Sequence, residues 1–232
     1  VALSLAAAKK LIIRQGYLGL WLNQCATPMA KVLARSGGSL HLQLTQSLTA
    51  PAARFLAEHR YPLIVHQPRL TLSVARELVR HQGRSLHLYF TALNSAIARA
   101  LIAYQGQLGF GLKGSLSVES AAILSQYRGG LQLANVREIR PEAMRHLANI
   151  QGDLEMKDII MTDELCEILA DHNGKLIIAV DIPLSPAGAT ALLRHNGSVT
   201  VKIKTNDQPG IWKLLEILGN RPDIKIIHPN IT

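Results

Sequence analysis

The chain has 232 residues, of which 48% are hydrophobic and 4% aromatic, and its formal net charge is +9 at pH 7. Asn, Gln, Thr and Pro interrupt its longest uncharged stretches, which argues against a membrane-spanning helix. The charge is uneven: residues 1–106 contain 12 Lys or Arg and 2 acidic residues, whereas residues 107–232 contain 13 and 14. The sequence therefore predicts a basic surface in its first part and a balanced one in the rest.

Glycines recur at intervals of 22 or 23 residues along most of the chain. The series is Gly16, Gly38, Tyr61 (in place of a glycine), Gly83, Gly106, Gly129, Gly152, Gly174 and Gly197. A period in the low twenties is typical of a solenoid, in which each unit buries its apolar face only against its neighbours.

In chain order, the first predicted element is a helix within residues 1–16, interpreted as a partial N-terminal repeat without its strand. Residues 17–205 follow as repeats, each with one short strand and one helix. The strands are predicted from alternating leucines, as in Leu18-Gly19-Leu20-Trp21-Leu22 and Leu40-His41-Leu42-Gln43-Leu44. Residues 206–232 are interpreted as a C-terminal capping segment, with a closing helix from Pro209 to Gly219 and a last strand over 224–227.

The helices are predicted from columns counted back from each glycine. A leucine stands five residues before it in every repeat, and a mostly small residue stands eight before it, which gives one apolar stripe. Cys25 and Cys166 occupy apolar positions and are predicted to be buried thiols. A hydroxyl or amide is predicted to cap most helices, namely Ser4, Thr49, Thr71, Asn94, Ser117, Thr162 and Ser185. Pro141 and Pro186 are predicted at the first helical position, and the glycine is predicted to end the helix.

The alternating-leucine strands and the Leu-containing helix followed by Gly resemble the leucine-rich repeat, in the divergent α/β form found in many bacterial proteins. The resemblance covers about residues 1–205. It departs from the standard pattern at the Asn/Cys ladder position, which is filled by Leu, Ile or Met except at Cys25. The repeat together with this resemblance predicts an α/β solenoid of horseshoe form, with a parallel concave sheet and a convex helical layer, in one domain spanning residues 1–232.

Large side chains concentrate at the solvent-facing positions of the first four predicted strands. They are Trp21, His41, Gln43, His66, His87 and Tyr89. Because rigid aromatic and amphipathic groups are typical of binding hot spots, these residues predict a site for a protein or peptide partner. If the histidines take part, binding should weaken as they gain charge near pH 6. A metal is not expected, since the outer histidines lie ~10 Å apart and no Asp, Glu or Cys joins them.

Two further columns need interpretation. One column stands two residues before the glycine and is predicted to be structural, meeting free carbonyls at helix C-termini: His59, His81, Tyr104, Tyr127, His172 and His195.

A second column stands seven residues before the glycine and predicts a ladder of cations along the helices: Lys9, Lys31, Arg54, Arg76 and Arg99. That ladder supports an alternative function, binding of nucleic acid or another polyanion, which salt would weaken steeply. Its other interpretation is a solubilising flank.

An enzyme is not expected, because no paired carboxylates or activated nucleophile can be placed on one surface, and no cofactor is expected. A third possibility is a structural spacer within a larger protein. Because the first predicted helix has no strand of its own and the chain begins with Val1 in place of Met, we expect a fragment of a longer protein that has further repeats or domains. A cytoplasmic protein and a secreted effector are both compatible with the sequence.

Overall fold

The computed structural model describes residues 3–13, 15–136, 138–181, 183–204, 208–219 and 221–227. They belong to two compact units, unit 1 within Val1–Lys113 and unit 2 within Gly114–Thr232. Each unit alternates strands with helices, and each has an open parallel sheet. The predicted α/β solenoid-like class is therefore confirmed, whereas the single-domain organisation stays a prediction.

In unit 1 the described residues form five helices and five strands. The helices are α1 (Leu5–Leu11), α2 (Thr27–Leu33), α3 (Ala50–Ala57), α4 (Leu72–Leu78) and α5 (Ser95–Leu101). The strands are β1 (Leu18–Leu22), β2 (Leu40–Leu44), β3 (Leu63–His66), β4 (Ser85–Phe90) and β5 (Gln107–Leu112). They pair in chain order and in parallel. The helix predicted within residues 1–16 is α1.

In unit 2 the described residues likewise form five helices and five strands. The helices are α6 (Val118–Leu124), α7 (Pro141–Ala148), α8 (Asp163–Leu169), α9 (Pro186–Leu192) and α10 (Gln208–Leu218). The strands are β6 (Leu131–Ala134), β7 (Leu154–Lys157), β8 (Leu176–Val180), β9 (Val199–Ile203) and β10 (Ile224–Ile227), again parallel and in chain order. The predicted closing helix and last strand are α10 and β10, while positions 206–207, 220 and 228–232 of the predicted capping segment lie outside the described residues.

The core of each unit lies between its sheet and its helices. The helix leucines of the predicted column from Leu33 to Leu192 are 0% exposed. So are the inward strand residues Leu40, Leu42 and Leu63. Burying one leucine stabilises a fold by about 1.5–3 kcal/mol, so the repeated column supplies much of the driving force. Cys25 and Cys166 are buried as predicted, and burial raises the pKa of each thiol to about 12.

Short helices make the caps important. The described helices are between seven and eleven residues long, and α10 is the eleven-residue one. No helix in the described part of the chain is long and apolar enough to cross a membrane. Seven predicted caps are confirmed, since the side chains of Ser4, Thr49, Thr71, Asn94, Ser117, Thr162 and Ser185 each accept a hydrogen bond from a backbone N–H in the first turn. Pro141 and Pro186 begin α7 and α9 as predicted.

The prediction that the recurring glycine ends the helix is wrong. Each helix of a repeat ends close to the column leucine, before the glycine is reached, and in the series only Gly16 has a positive φ, of 105°. At six positions of the series the glycine is instead required by close approach to the backbone of the preceding repeat, namely Gly38, Gly83, Gly106, Gly152, Gly174 and Gly197. A Cβ on Gly83 would lie 2.5 Å from the carbonyl oxygen of Tyr61, and one on Gly174 would lie 2.5 Å from that of Gly152. The period thus reflects backbone contact between successive repeats.

Candidate functional site

The six predicted partner-binding residues share one surface, the sheet face of unit 1. We define this face by two columns of β1–β5 whose side chains alternate with the buried leucines. Strand pairing aligns the first column as Gly19, His41, Ile64, His87 and Gly109, and the second as Trp21, Gln43, His66, Tyr89 and Gly111. Trp21 is 71% exposed and Gln43 is also exposed, while His41, His66, His87 and Tyr89 are half-buried.

A continuous stack of rings crosses the sheet face of unit 1. The His66 and Tyr89 rings are nearly parallel, at 5°, with their centroids 4.0 Å apart. The His41 ring stacks on the other side of His66 at 4.8 Å. Tyr17 completes the row, because its ring meets His41 edge-on and its hydroxyl lies 2.6 Å from His41 Nδ1. Stacked rings of this kind hold one another in place, so the surface is ordered before a partner arrives.

Tyr17 is the residue of this surface that the sequence analysis missed. It precedes β1 and therefore stands outside the alternating columns. A Cβ on Gly19 would lie 3.0 Å from the Tyr17 ring, so the ring occupies space that Gly19 leaves empty. The His87 ring likewise lies over Gly109, where a side chain would collide with it. Glycine within an exposed column is the sequence signal that a neighbouring ring can fill the gap.

Trp21 and Gln43 form the most exposed part of the sheet face of unit 1. They stand opposite each other on β1 and β2, and Gln43 is in turn paired with His66 of β3. The indole offers a large apolar surface, and the amide offers hydrogen-bond donors and an acceptor. Apolar area and polar groups that fix orientation therefore lie side by side.

Burial keeps the two stacked imidazoles neutral. It lowers the pKa of His41, and it lowers the pKa of His66 to about 4, with a further contribution from repulsion by His41. Within the described residues, His41 Nε2 is buried without a hydrogen-bond partner, which accords with the cost of charging this ring. For His66 the charging expected near pH 6 is therefore displaced to about pH 4.

The cations of the predicted ladder lie one to a helix in unit 1. Lys9, Lys31, Arg54, Arg76 and Arg99 stand on α1 to α5 in order, and each is exposed. Lys31 Nζ lies 5.6 Å from the centre of the Phe55 ring. Arg76 and Arg99 border a surface groove between α4 and α5, together with Arg80, which forms an ion pair of 3.1 Å with Glu77.

The column of histidines and tyrosines two residues before the glycine meets backbone carbonyls, as predicted, but these belong to the preceding repeat. His59 Nδ1 donates to the Ala34 carbonyl at 3.2 Å, and His172 Nδ1 donates to that of Ala148 at 3.0 Å. Tyr104 donates its hydroxyl to the Gly83 carbonyl at 2.5 Å. Burial lowers the pKa of His81 to about 4, with a smaller effect from His59. The column therefore ties successive repeats together inside each unit.

The sheet of unit 2 presents a different surface, made of ion pairs. Glu155 of β7 lies 3.1 Å from Lys157 on its own strand and 3.5 Å from Lys202 of β9. Lys204 pairs with Asp158 and lies 3.5 Å from Asp181, and these partners raise its pKa. Because these charged groups are already paired with one another, they attract a charged group of a partner only weakly.

Comparison with known proteins does not place this chain in a family. No protein-family model matches it, and no curated protein sequence is significantly similar to it. Among the described residues, no group of three or more His, Cys, Asp or Glu side chains is arranged to hold a metal ion. Function has therefore to be inferred from the chain's own surfaces.

Proposed function

We propose that this chain is a non-enzymatic recognition module that binds a protein or peptide partner through the sheet face of unit 1. The observation that carries the proposal is the 71% exposed Trp21 beside a row of rings, in which His41, His66 and Tyr89 are stacked and Tyr17 meets His41 edge-on. An exposed indole that a strand holds beside other aromatic rings is typical of hot spots at interfaces.

The rigidity of this surface favours binding. The half-buried rings are fixed by stacking and by the strands beneath them, so they lose little conformational entropy when a partner docks. Trp21 supplies apolar area at the edge of the row, and Gln43 supplies hydrogen bonds that orient the partner. The indole therefore contributes most of the affinity, and the amide contributes specificity.

We also propose that the chain is related in architecture to leucine-rich repeats. The support is the alternation of buried leucines such as Leu40 and Leu42 with outward residues, one strand and one helix to a repeat, and parallel strands in chain order. In arrays of this kind the sheet is a regular grid of side chains, which suits recognition of another chain.

Affinity capture with matched tryptophan variants tests the proposed function. The wild-type chain is immobilised beside Trp21→Ala and Trp212→Ala, since Trp212 of α10 is 62% exposed and provides a control for loss of an exposed indole elsewhere. We expect a partner protein that is retained at high salt, lost with Trp21→Ala and kept with Trp212→Ala. A loss of about thirty-fold in affinity corresponds to the 2 kcal/mol typical of a hot spot. Equal capture by wild type and Trp21→Ala would contradict the proposal.

A second candidate function is binding of nucleic acid or another polyanion through the ladder of cations. Its specific support is that at least one exposed cation stands on each of five successive helices, from Lys9 to Arg99, while residues 1–113 contain only two acidic residues. Release of counterions would then make the affinity fall steeply with salt. Duplex DNA and heparin are the probes, and the triple variant Arg54→Glu, Arg76→Glu, Arg99→Glu should abolish binding that Trp21→Ala leaves unchanged. Binding that is insensitive to salt would exclude this function.

A further inference from the structure

The sheet face of unit 1 is free of formal charge along both of its columns. Its ten aligned positions contain no Asp, Glu, Lys or Arg, although residues 1–113 as a whole contain 13 basic residues and 2 acidic ones. Some exposed cations of this unit lie on its helices, such as Arg54 and Arg76, and others lie in connecting segments, such as Arg84 directly before β4 and Lys113 directly after β5. The formal charge of unit 1 thus lies outside the two columns of the face.

An uncharged face discriminates between partners by desolvation. A carboxylate or ammonium group pressed against Trp21 and the stacked rings would lose its hydration and would gain no ion pair in exchange. An apolar side chain in the same place gains from leaving water. Burying an apolar side chain of the partner on this face is favourable, whereas burying a charged one is not. The face therefore selects against charged side chains of the partner.

The hydrogen-bonding groups of the face also suit an uncharged chain. Gln43 is exposed between Trp21 and His66 and can donate to a peptide carbonyl or accept from a peptide N–H. His66 cannot act as a fixed cation near neutral pH, because burial lowers its pKa to about 4. The polar contacts that Gln43 and His66 offer are therefore neutral hydrogen bonds to a backbone or an amide.

Resting on the proposed function, we infer that the segment bound on the sheet face of unit 1 is an uncharged peptide rich in aromatic or aliphatic side chains. One such side chain packs on Trp21, and the Gln43 amide binds the peptide backbone beside it. Charged residues of the partner lie outside this face.

Selection from a phage library of random dodecapeptides tests the inference. The full chain is the bait, and clones are kept when they bind wild type and Trp212→Ala but lose at least about ten-fold in affinity on Trp21→Ala. We expect these clones to contain Asp, Glu, Lys and Arg at about half the input frequency or less. A parallel selection uses Gln43→Lys, which places one cation on the exposed part of the face and should shift the selected clones towards Asp and Glu.

The outcomes separate the inference from the proposed function. Trp21-dependent clones that are depleted in charge support the inference, and an acidic shift with Gln43→Lys supports it further. Trp21-dependent clones enriched in charged residues would overturn the inference and leave peptide recognition standing. An absence of Trp21-dependent clones would overturn both.

Discussion

In unit 1 the exposed side of the sheet carries rings and an amide, whereas the aligned columns of unit 2 carry Glu155, Lys157 and Lys202. Their formal charges also differ, with 13 basic and 2 acidic residues in unit 1 against 12 and 14 in unit 2, or +11 against −2. Yet both units bury the same leucine column and use the same caps. The difference shows that the repeat fixes the buried positions and leaves the exposed columns free to acquire separate chemistry.

The largest expected effect tests what the two units have in common. Leu56→Ala in unit 1 and Leu169→Ala in unit 2 remove fully buried side chains at the same column. Each should lower the free energy of unfolding by about 2–5 kcal/mol, measured by urea denaturation. Ile13→Ala is the control, because Ile13 is 78% exposed. A large loss from one leucine and none from the other would show that the units do not share one kind of core.

Acid should distinguish the units more sharply. Burial lowers the pKa of four histidines in unit 1 (His41, His59, His66 and His81), whereas among the described residues of unit 2 this shift is found at His172. A histidine with a lowered pKa binds fewer protons when folded, so its contribution to stability is complete above pH 6.5 and is lost as the pH falls towards the folded pKa.

His81→Tyr measures this acid sensitivity directly. For His81 the loss between pH 6.5 and its folded pKa of about 4 should approach ~3 kcal/mol. Tyrosine already fills the next position of this column at Tyr104, so His81→Tyr should flatten the dependence of unfolding free energy on pH. His146→Tyr, at a half-exposed position of α7, is the matched control. An identical pH dependence in wild type and His81→Tyr would contradict the expectation.

Replacing a glycine at the backbone contact between repeats should destabilise both units to a similar degree. Gly83→Ala in unit 1 and Gly174→Ala in unit 2 each bring a methyl group to 2.5 Å from a carbonyl oxygen of the preceding repeat. We expect a loss of about 1–3 kcal/mol in unfolding free energy for each. Gly37→Ala should be close to neutral, since its nearest neighbour would be Gln15 Cγ at an ordinary 3.6 Å. Equal stability of all three variants would mean that the glycine period has another cause.

The smallest effect concerns the caps. Thr71 of unit 1 and Thr162 of unit 2 each accept a hydrogen bond from a backbone N–H of the helix that follows. Thr71→Ala and Thr162→Ala should therefore each cost about 1 kcal/mol, while Thr→Ser at the same positions should cost less. Thermal unfolding of the four variants measures this, and a larger loss from serine than from alanine would rule out capping as the role.

Much of the fold could be predicted from the sequence, because leucine columns, caps and strand alternation are local patterns. The role of the glycines could not, since it depends on where the backbone of the preceding repeat lies, as at Gly83 and Tyr61. Tyr17 was missed for a related reason: its contact with His41 spans 24 residues and begins outside any strand. The placement of Trp21 and Gln43 followed from alternation alone, whereas the stacking of His66 on Tyr89 and the burial that lowers its pKa required the geometry.

The pairing of each strand with its neighbour in the chain has a mechanical consequence. Within each unit no described strand pairs with one from a distant part of the sequence. When a unit is pulled from one end, no pairing between distant strands has to break first. Its repeats should therefore unfold one after another. A repeat of 23 residues, the spacing from Gly83 to Gly106, frees up to about 80 Å of extended chain. In a force–extension trace, successive unfolding peaks should therefore be separated by the extended length of one repeat.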